Sequence, residues 1–142
     1  MLPKEPLPLY HSWALFDPNA RFELGLADAT VAAAGPVESW RCDVATGRLT
    51  WSPGVFDLFG LPRNHLPTRE AALPRYAEES RVAMDRLRAH ALRHRRGFTI
   101  DARLRLSGGD RWMRLTAAPR DEDGRLILAG TKQDVTALYR SR

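Results

Sequence analysis

Residues 98–119, FTIDARLRLSGGDRWMRLTAAP, contain the clearest secondary-structure pattern in the chain. Apolar and polar residues alternate over residues 98–106, so one face of a strand is apolar and the other is polar. Residues 107–110, Ser-Gly-Gly-Asp, follow, and glycines readily adopt the positive φ angles that tight turns require. A second alternating run covers residues 111–117. The stretch therefore predicts a long antiparallel hairpin with one buried face and one solvent-exposed face.

Length and composition indicate one globular domain with a short extension. The chain has 142 residues, of which 44% are hydrophobic and 27% charged, which is ordinary for a globular protein. Its apolar runs are too short to cross a bilayer, and its N-terminus lacks a secretory pattern, so we expect a cytoplasmic protein without membrane association. Cys42, the only cysteine, excludes an internal disulfide. The net charge is +5, but the arginines are dispersed, which argues against nucleic-acid binding as the function.

The elements that flank the hairpin predict an α+β fold. Residues 40–51 form a shorter hairpin pattern, and Ser52-Pro53 begins a helix that Gly60 ends. Thr68 caps a short helix, residues 78–95 form a long amphipathic helix that Gly97 ends, and residues 125–135 form a last strand. The order predicts a five-stranded antiparallel sheet, with residues 40–44 as its central strand and helices on one face.

The segment before this domain has a different character. Residues 1–16 contain three prolines and cannot form one regular helix, whereas the alanine-rich residues 28–34 predict a short helix. We therefore divide the chain into an N-terminal arm and cap helix (1–36), a domain (37–136) and a C-terminal stub (137–142). We expect a homodimer in which aromatic side chains of the arm pack against the outer face of the sheet: Tyr10, Trp13, Phe16 and Phe22, with Trp112 on the sheet.

Residues 40–62, WRCDVATGRLTWSPGVFDLFGLP, resemble the opening of a PAS domain. Residues 111–114 and 121–125 resemble the later strands of that family, and residues 130–136, GTKQDVT, resemble its closing strand. The resemblance covers residues 37 to about 136. One departure is clear: many PAS domains carry His-Pro-Glu-Asp at the start of the long helix, whereas this chain has Tyr-Ala-Glu-Glu at residues 76–79.

The resemblance implies a sensory or signalling domain that acts through dimerisation, contact with a protein partner and the binding of a small ligand. Catalysis is not expected, because there is no phosphate-binding glycine loop and Cys42 has no adjacent histidine. One alternative is the sensor segment of a histidine kinase or cyclase without its output domain. The initial Met1 and the arm lead us to favour a free-standing regulator.

A second alternative is a haem-binding gas sensor, because some PAS domains ligate haem from the corresponding helix. His90 and His94 lie four residues apart on one helix face. Arginines surround them, so we interpret them as surface histidines and predict no cofactor and no metal. A flavin adduct is not expected either, since the Asn-Cys-Arg-Phe-Leu-Gln segment of light-sensing members is absent.

Lys132 is the residue that stands out in the last strand. By resemblance, the position two after Gly130 points into the cleft between sheet and helices, and a buried ammonium is costly unless it meets an anion or loses its proton. The alternative that we favour from sequence is that Lys132 snorkels out at the sheet edge. A second is an internal carboxylate partner: Asp57, Glu78 or Glu79. A third is an acidic ligand, in a cleft that Lys132 lines together with four apolar residues: Phe59, Met84, Leu104 and Leu115.

Overall fold

The structure is a computed structural model, and it describes Ser12, Trp13 and residues 34–140. The helix predicted over residues 28–34 falls outside the described residues except for Ala34, which lies in a bend. Three of the predicted interface residues also fall outside them: Tyr10, Phe16 and Phe22.

The sheet contains the five predicted strands and one short additional strand. The strands are β1 (Ser12–Trp13), β2 (Val37–Asp43), β3 (Arg48–Trp51), β4 (Phe98–Leu106), β5 (Gly109–Glu122) and β6 (Arg125–Asp134). They are antiparallel in the order β1-β4-β5-β6-β2-β3. The predicted five-stranded α+β architecture is confirmed, and β1 extends it at the β4 edge. The expectation that residues 40–44 form the central strand is wrong, because the last strand, β6, inserts between the two hairpins.

Three helices and one 3-10 turn lie between β3 and β4, and a fourth helix lies at the end of the described residues. They are α1 (Pro53–Phe59), α2 (Arg69–Ala72), a 3-10 turn (Leu73–Arg75), α3 (Glu78–His94) and α4 (Thr136–Arg140). Ser52 precedes α1 and Gly60 ends it with φ 68°, as predicted. Arg95, not Gly97, ends α3: it adopts the left-handed conformation and its N–H bonds the carbonyl of Ala91.

The hydrophobic core lies between the sheet and helices α1–α3. Its largest fully buried side chains include Phe59, Leu87, Phe98, Ile100 and Met113. These come from α1, α3, β4 and β5, so the helices and the long hairpin share one core.

Much of the opposite face of the long hairpin is buried as well, so the expectation that this face is solvent-exposed is wrong for that part, whereas Arg105 is exposed as expected. Asp101 is 1% exposed and Thr116 is fully buried. Arg114 donates two hydrogen bonds to Asp101, at 2.7 and 2.8 Å, and the Tyr139 hydroxyl of α4 donates a third at 2.6 Å. Charges can be buried when they are paired and hydrogen-bonded in this way. The C-terminal stub therefore contains a helix that contacts the outer face of the sheet.

The centre of the sheet has an irregular junction between β5 and β6. The register pairs Leu115 with Lys132 and Ala118 with Ala129. Between those pairs, the Thr116 carbonyl accepts from the Trp40 indole at 3.1 Å, and the N–H of Thr131 donates to the Thr116 hydroxyl at 2.8 Å. A Cβ at Gly130 would lie 1.9 Å from the Thr116 oxygen. The strands approach so closely here that only glycine fits.

Candidate ligand cavity

A cavity of about 50 Å³ lies between the sheet and the helices. Since one water needs roughly 10–15 Å³, it has room for a few small groups. Apolar and aromatic side chains form most of its wall, including Trp40, Trp51, Tyr76, Met84, Leu115 and Leu128. Among the described residues, its charged lining residues are three cations: Lys132 on β6, Arg69 on α2 and Arg88 on α3.

Lys132 lies inside the domain, with only 6% of its surface exposed. Its Nζ is 5.0 Å from the ring centroid of Trp40 and 5.1 Å from that of Phe59, which are cation–π distances. Burial, reinforced by the charge of Arg69, lowers the pKa of Lys132 from 10.5 to about 7. The interpretation that Lys132 snorkels out at a sheet edge is wrong, because β6 is an interior strand between β5 and β2.

The three carboxylates considered from sequence do not pair with Lys132. Asp57 bonds Arg63 at 2.6 Å, Glu79 bonds Arg103 at 2.5 Å, and Glu78 is exposed. Within the part of the chain that the structure describes, no other carboxylate forms an ion pair with Lys132 either. The second alternative is therefore contradicted for these residues.

The two arginines give the cavity an excess of positive charge. Arg69 Nη2 lies 3.4 Å from Asp85 Oδ1, and Arg81 contacts the other oxygen of the same carboxylate at 3.4 Å. Arg88 is half-buried and lines the cavity beside them. Asp85 is thus shared between Arg69 and Arg81, and the described lining of the cavity contains cations but no carboxylate. This arrangement can accommodate an anion.

The predicted cleft residues are partly brought together. Met84, Leu115 and Lys132 line the cavity, and the ring of Phe59 faces the Lys132 ammonium. Leu104 is fully buried but lies outside the cavity wall, where it pairs with Tyr76. Whether these residues bind a ligand stays a prediction.

Sequence reasoning missed Arg69, Arg88 and Tyr76. Arg88 lies four residues after Met84 on α3, a spacing that puts both on one helix face. The sequence therefore contained a signal that Arg88 lies near the predicted cleft. Tyr76 occupies the position where the chain departs from the His-Pro-Glu-Asp pattern. It lines the cavity and packs 5.7 Å from Phe59, and burial raises the pKa of its hydroxyl. No sequence signal pointed to Arg69.

Trp112 and the two histidines lie away from the cavity. Trp112 is half-buried and stacks on Tyr139, with ring centroids 4.2 Å apart. The rings of His90 and His94 are 4.5 Å apart, and neither lines the cavity.

The described residues contain no group of three side chains arranged to hold a metal. Among the described helices, none has the length and apolar character needed to cross a membrane.

Solved structures share this arrangement of sheet and helices. The N-terminal domain of a diguanylate cyclase with a PAS/PAC sensor, from Marinobacter aquaeolei, matches with a TM-score of 0.64 and 18% identity, over 73% of this chain and 99% of that one. The chain has a PAS fold. A sensory box histidine kinase/response regulator from Burkholderia thailandensis matches this PAS fold with a TM-score of 0.61 and 21% identity, over 85% of this chain and 88% of that one.

The same PAS fold is also found within a longer protein. An RNA-binding light-oxygen-voltage receptor matches with a TM-score of 0.63 and 16% identity, over 72% of this chain. The match spans only 30% of that receptor chain. No protein-family model matches the sequence, and the comparison with curated proteins found no match. The resemblance to PAS domains in the sequence is thus confirmed at the level of the fold.

Proposed function

We propose that this chain is a non-enzymatic sensory domain that binds a small acidic ligand between its sheet and its helices. The observation that carries this proposal is Lys132, whose ammonium is buried against two aromatic rings in a cavity that Arg69 and Arg88 also line. The fold supports it, since two neighbours are named as a PAS/PAC sensor and a sensory box protein.

The buried charge of Lys132 favours the binding of an anion in this cavity. A buried ammonium without a counter-charge is costly, and an opposite charge within a few ångströms favours the charged form. A ligand carboxylate beside Lys132 offsets that cost, because it favours a positive charge on the Lys132 nitrogen. The aromatic wall then contacts the apolar part of the ligand.

A ligand in the cavity can perturb the outer face of the sheet through Trp40 and strand β5. Trp40 lies beside the Lys132 ammonium and also donates to the Thr116 carbonyl on β5. The outer face of β5 carries Arg114, which bonds Asp101, and Asp101 in turn accepts from Tyr139 of α4. We propose that ligand binding alters these contacts and thereby the surface that a protein partner in the cytoplasm recognises.

A thermal-shift screen tests ligand binding. Small acids and their neutral amides, such as acetate and acetamide, are compared on the full chain, since a ligand that binds the folded state raises the melting temperature. We expect acids to stabilise the protein and amides not to, and Lys132→Met to lose the effect. Arg93→Met, which removes an exposed cation from α3, should keep it. A parent protein without any acidic hit would contradict the proposal.

We also propose that the domain forms a homodimer through its N-terminal arm. The aromatic residues of the arm support this proposal, because large aromatic side chains stabilise interfaces when they are buried. Trp112 contributes less surface than expected, since Tyr139 stacks on it.

The names of the neighbours favour one alternative, the sensor segment of a histidine kinase or cyclase. Two of them are parts of such proteins by name. The mass of the protein isolated from its natural source separates the alternatives: a free-standing regulator has the mass of this chain, and a sensor segment belongs to a heavier product.

A further inference from the structure

The cavity gives Lys132 the surroundings of a reactive amine. A lysine that is desolvated in an apolar pocket beside another cation loses its proton and becomes nucleophilic. Lys132 faces the rings of Trp40 and Phe59, with Arg69 and Arg88 lining the same cavity. In the part of the chain that the structure describes, the other titratable groups of the wall are Cys42 on β2 and Tyr76 before α3.

The size and charge of the cavity limit what could react there. A volume of about 50 Å³ admits only a molecule of a few non-hydrogen atoms. The two guanidinium groups favour a carboxylate, and an amine reacts with a carbonyl carbon. An acid that carries both groups on adjacent carbons, an α-oxo acid, satisfies both requirements within that volume.

We propose that Lys132 forms a reversible imine with a small α-oxo acid whose carboxylate is bound by Arg69 and Arg88. This inference rests on the proposed function, because it assigns a ligand class and a bond to the same cavity. The site would make the domain a covalent sensor of such acids.

The reaction needs no further reagent. The lone pair of the neutral Lys132 amine attacks the carbonyl carbon, and one amine proton moves to the carbonyl oxygen to give a carbinolamine. The hydroxyl then leaves as water with the second amine proton, which forms the C=N bond, and the imine nitrogen takes up a proton from solvent. Hydrolysis reverses these steps. A pKa of about 7 leaves roughly half of the amine neutral at pH 7, against about 0.04% for a lysine of ordinary pKa.

The adduct also suits the charges of the cavity. A protonated imine keeps the positive charge of Lys132 beside the aromatic rings, and the carboxylate of the same molecule supplies the negative charge that the described residues do not give to Lys132. The bound acid therefore balances the lysine without a protein carboxylate.

Reductive trapping tests the imine, and the sequence supplies an internal comparison because Lys4 and Lys132 are the only lysines. The full chain is incubated with glyoxylate and cyanoborohydride at pH 7, and the labelled residue is located by peptide mass spectrometry. We expect labelling of Lys132 to exceed that of Lys4 by at least about tenfold. Acetaldehyde, which lacks the carboxylate, should label Lys132 more slowly, and Arg88→Gln should remove this difference.

Two variants separate the imine from simple binding. Lys132→Arg keeps a cation but has no primary amine, so it should lose trapping at this position and keep stabilisation by acids. Lys132→Met should lose both. Labelling confined to Lys4 and the N-terminal amine, while acids still stabilise the parent, would overturn the imine and leave the proposed function standing. If acids neither stabilise nor label the parent, both proposals fail. Equal labelling by acetaldehyde would overturn the role of the arginines.

Discussion

The Tyr139 hydroxyl donates a hydrogen bond of 2.6 Å to Asp101 Oδ2, an oxygen that also accepts from Arg114 Nη2 at 2.8 Å. This bond joins α4, at the end of the described chain, to β4 across the outer face of the sheet. Because Asp101 is 1% exposed, the network is shielded from solvent, and each of its bonds contributes more than a surface ion pair.

Substitutions in this network should destabilise the domain to different degrees. Tyr139→Phe removes one bond to a charged group and should lower the free energy of unfolding by about 1.5–3 kcal/mol. Asp101→Ala removes the buried counter-charge of Arg114 and should cost about 3–5 kcal/mol. Urea denaturation measures both. Asp57→Ala, in an exposed carboxylate–arginine pair, is the control and should have little effect; equal losses in Asp57→Ala and Asp101→Ala would contradict this account.

Gly130→Ala should be among the most damaging single methyl additions in the chain. The new Cβ would lie 1.9 Å from the Thr116 carbonyl oxygen, so the two strands must separate and the bond from Trp40 weakens. We expect a loss of more than about 2 kcal/mol in the free energy of unfolding. Gly108→Ala is the matched control, since its Cβ would meet no atom within 4 Å. Similar stability in both variants would show that the junction tolerates a wider spacing.

Lys132→Met should change how stability depends on pH. Burial lowers the pKa of Lys132 to about 7 in the folded protein, whereas the pKa of a lysine in the unfolded chain is about 10.4. Between these values the unfolded chain binds more protons, so the free energy of unfolding of the parent rises with pH, by up to about 1.4 kcal/mol per unit. Below about pH 7 the lysine is charged in both states and its burial cost is present in full.

The variant lacks this contribution, so its stability advantage over the parent should shrink as the pH rises from 7 to 10. Denaturation curves at several pH values measure the difference, and Cys42 and Tyr76, the other titratable groups of the cavity apart from its arginines, are common to both proteins. A constant difference across this range would show that Lys132 keeps an ordinary pKa.

Replacing Tyr10, Phe16 and Phe22 by serine should convert a dimer into a monomer. The substitutions remove the aromatic side chains proposed for the interface and leave Ser12 and Trp13, which form β1, unchanged. Light scattering reports the mass of parent and variant. A variant that stays dimeric would exclude the arm as the interface, and a monomeric parent would exclude the homodimer itself.

Local periodicity predicted much of this fold because burial follows it closely on one side of the sheet. Phe98, Ile100 and Leu104 are buried as their alternation requires, and Ser52, Gly60 and Thr68 delimit their helices by local backbone chemistry. The burial of Asp101 could not be inferred in the same way, since it depends on contacts with Arg114 and with Tyr139, 38 residues away.

The lining of the candidate cavity could be predicted only in part from the sequence. The position of Lys132 two residues after Gly130 indicated that its side chain points into the cleft, and the structure buries it there. The favoured alternative, in which the side chain leaves at a sheet edge, was wrong. The position of Lys132 in an interior strand depends on strand order, which the alternation pattern does not encode. The approach of Arg69 from a short helix likewise depends on the course of the loop before it, whose residues 62–66 are exposed.

The covered edge of the sheet at β4 should limit aggregation of this protein at high concentration. Exposed edge strands recruit other chains and lead to aggregation. Here β1 pairs with Thr99 and Ile100, the carbonyl of Arg103 accepts from Ala77, and the N–H of Arg103 donates to Ser80. The edge is thus occupied along two of its segments by backbone and hydroxyl groups of its own chain, which hinders the edge-to-edge pairing of sheets that leads to fibrils.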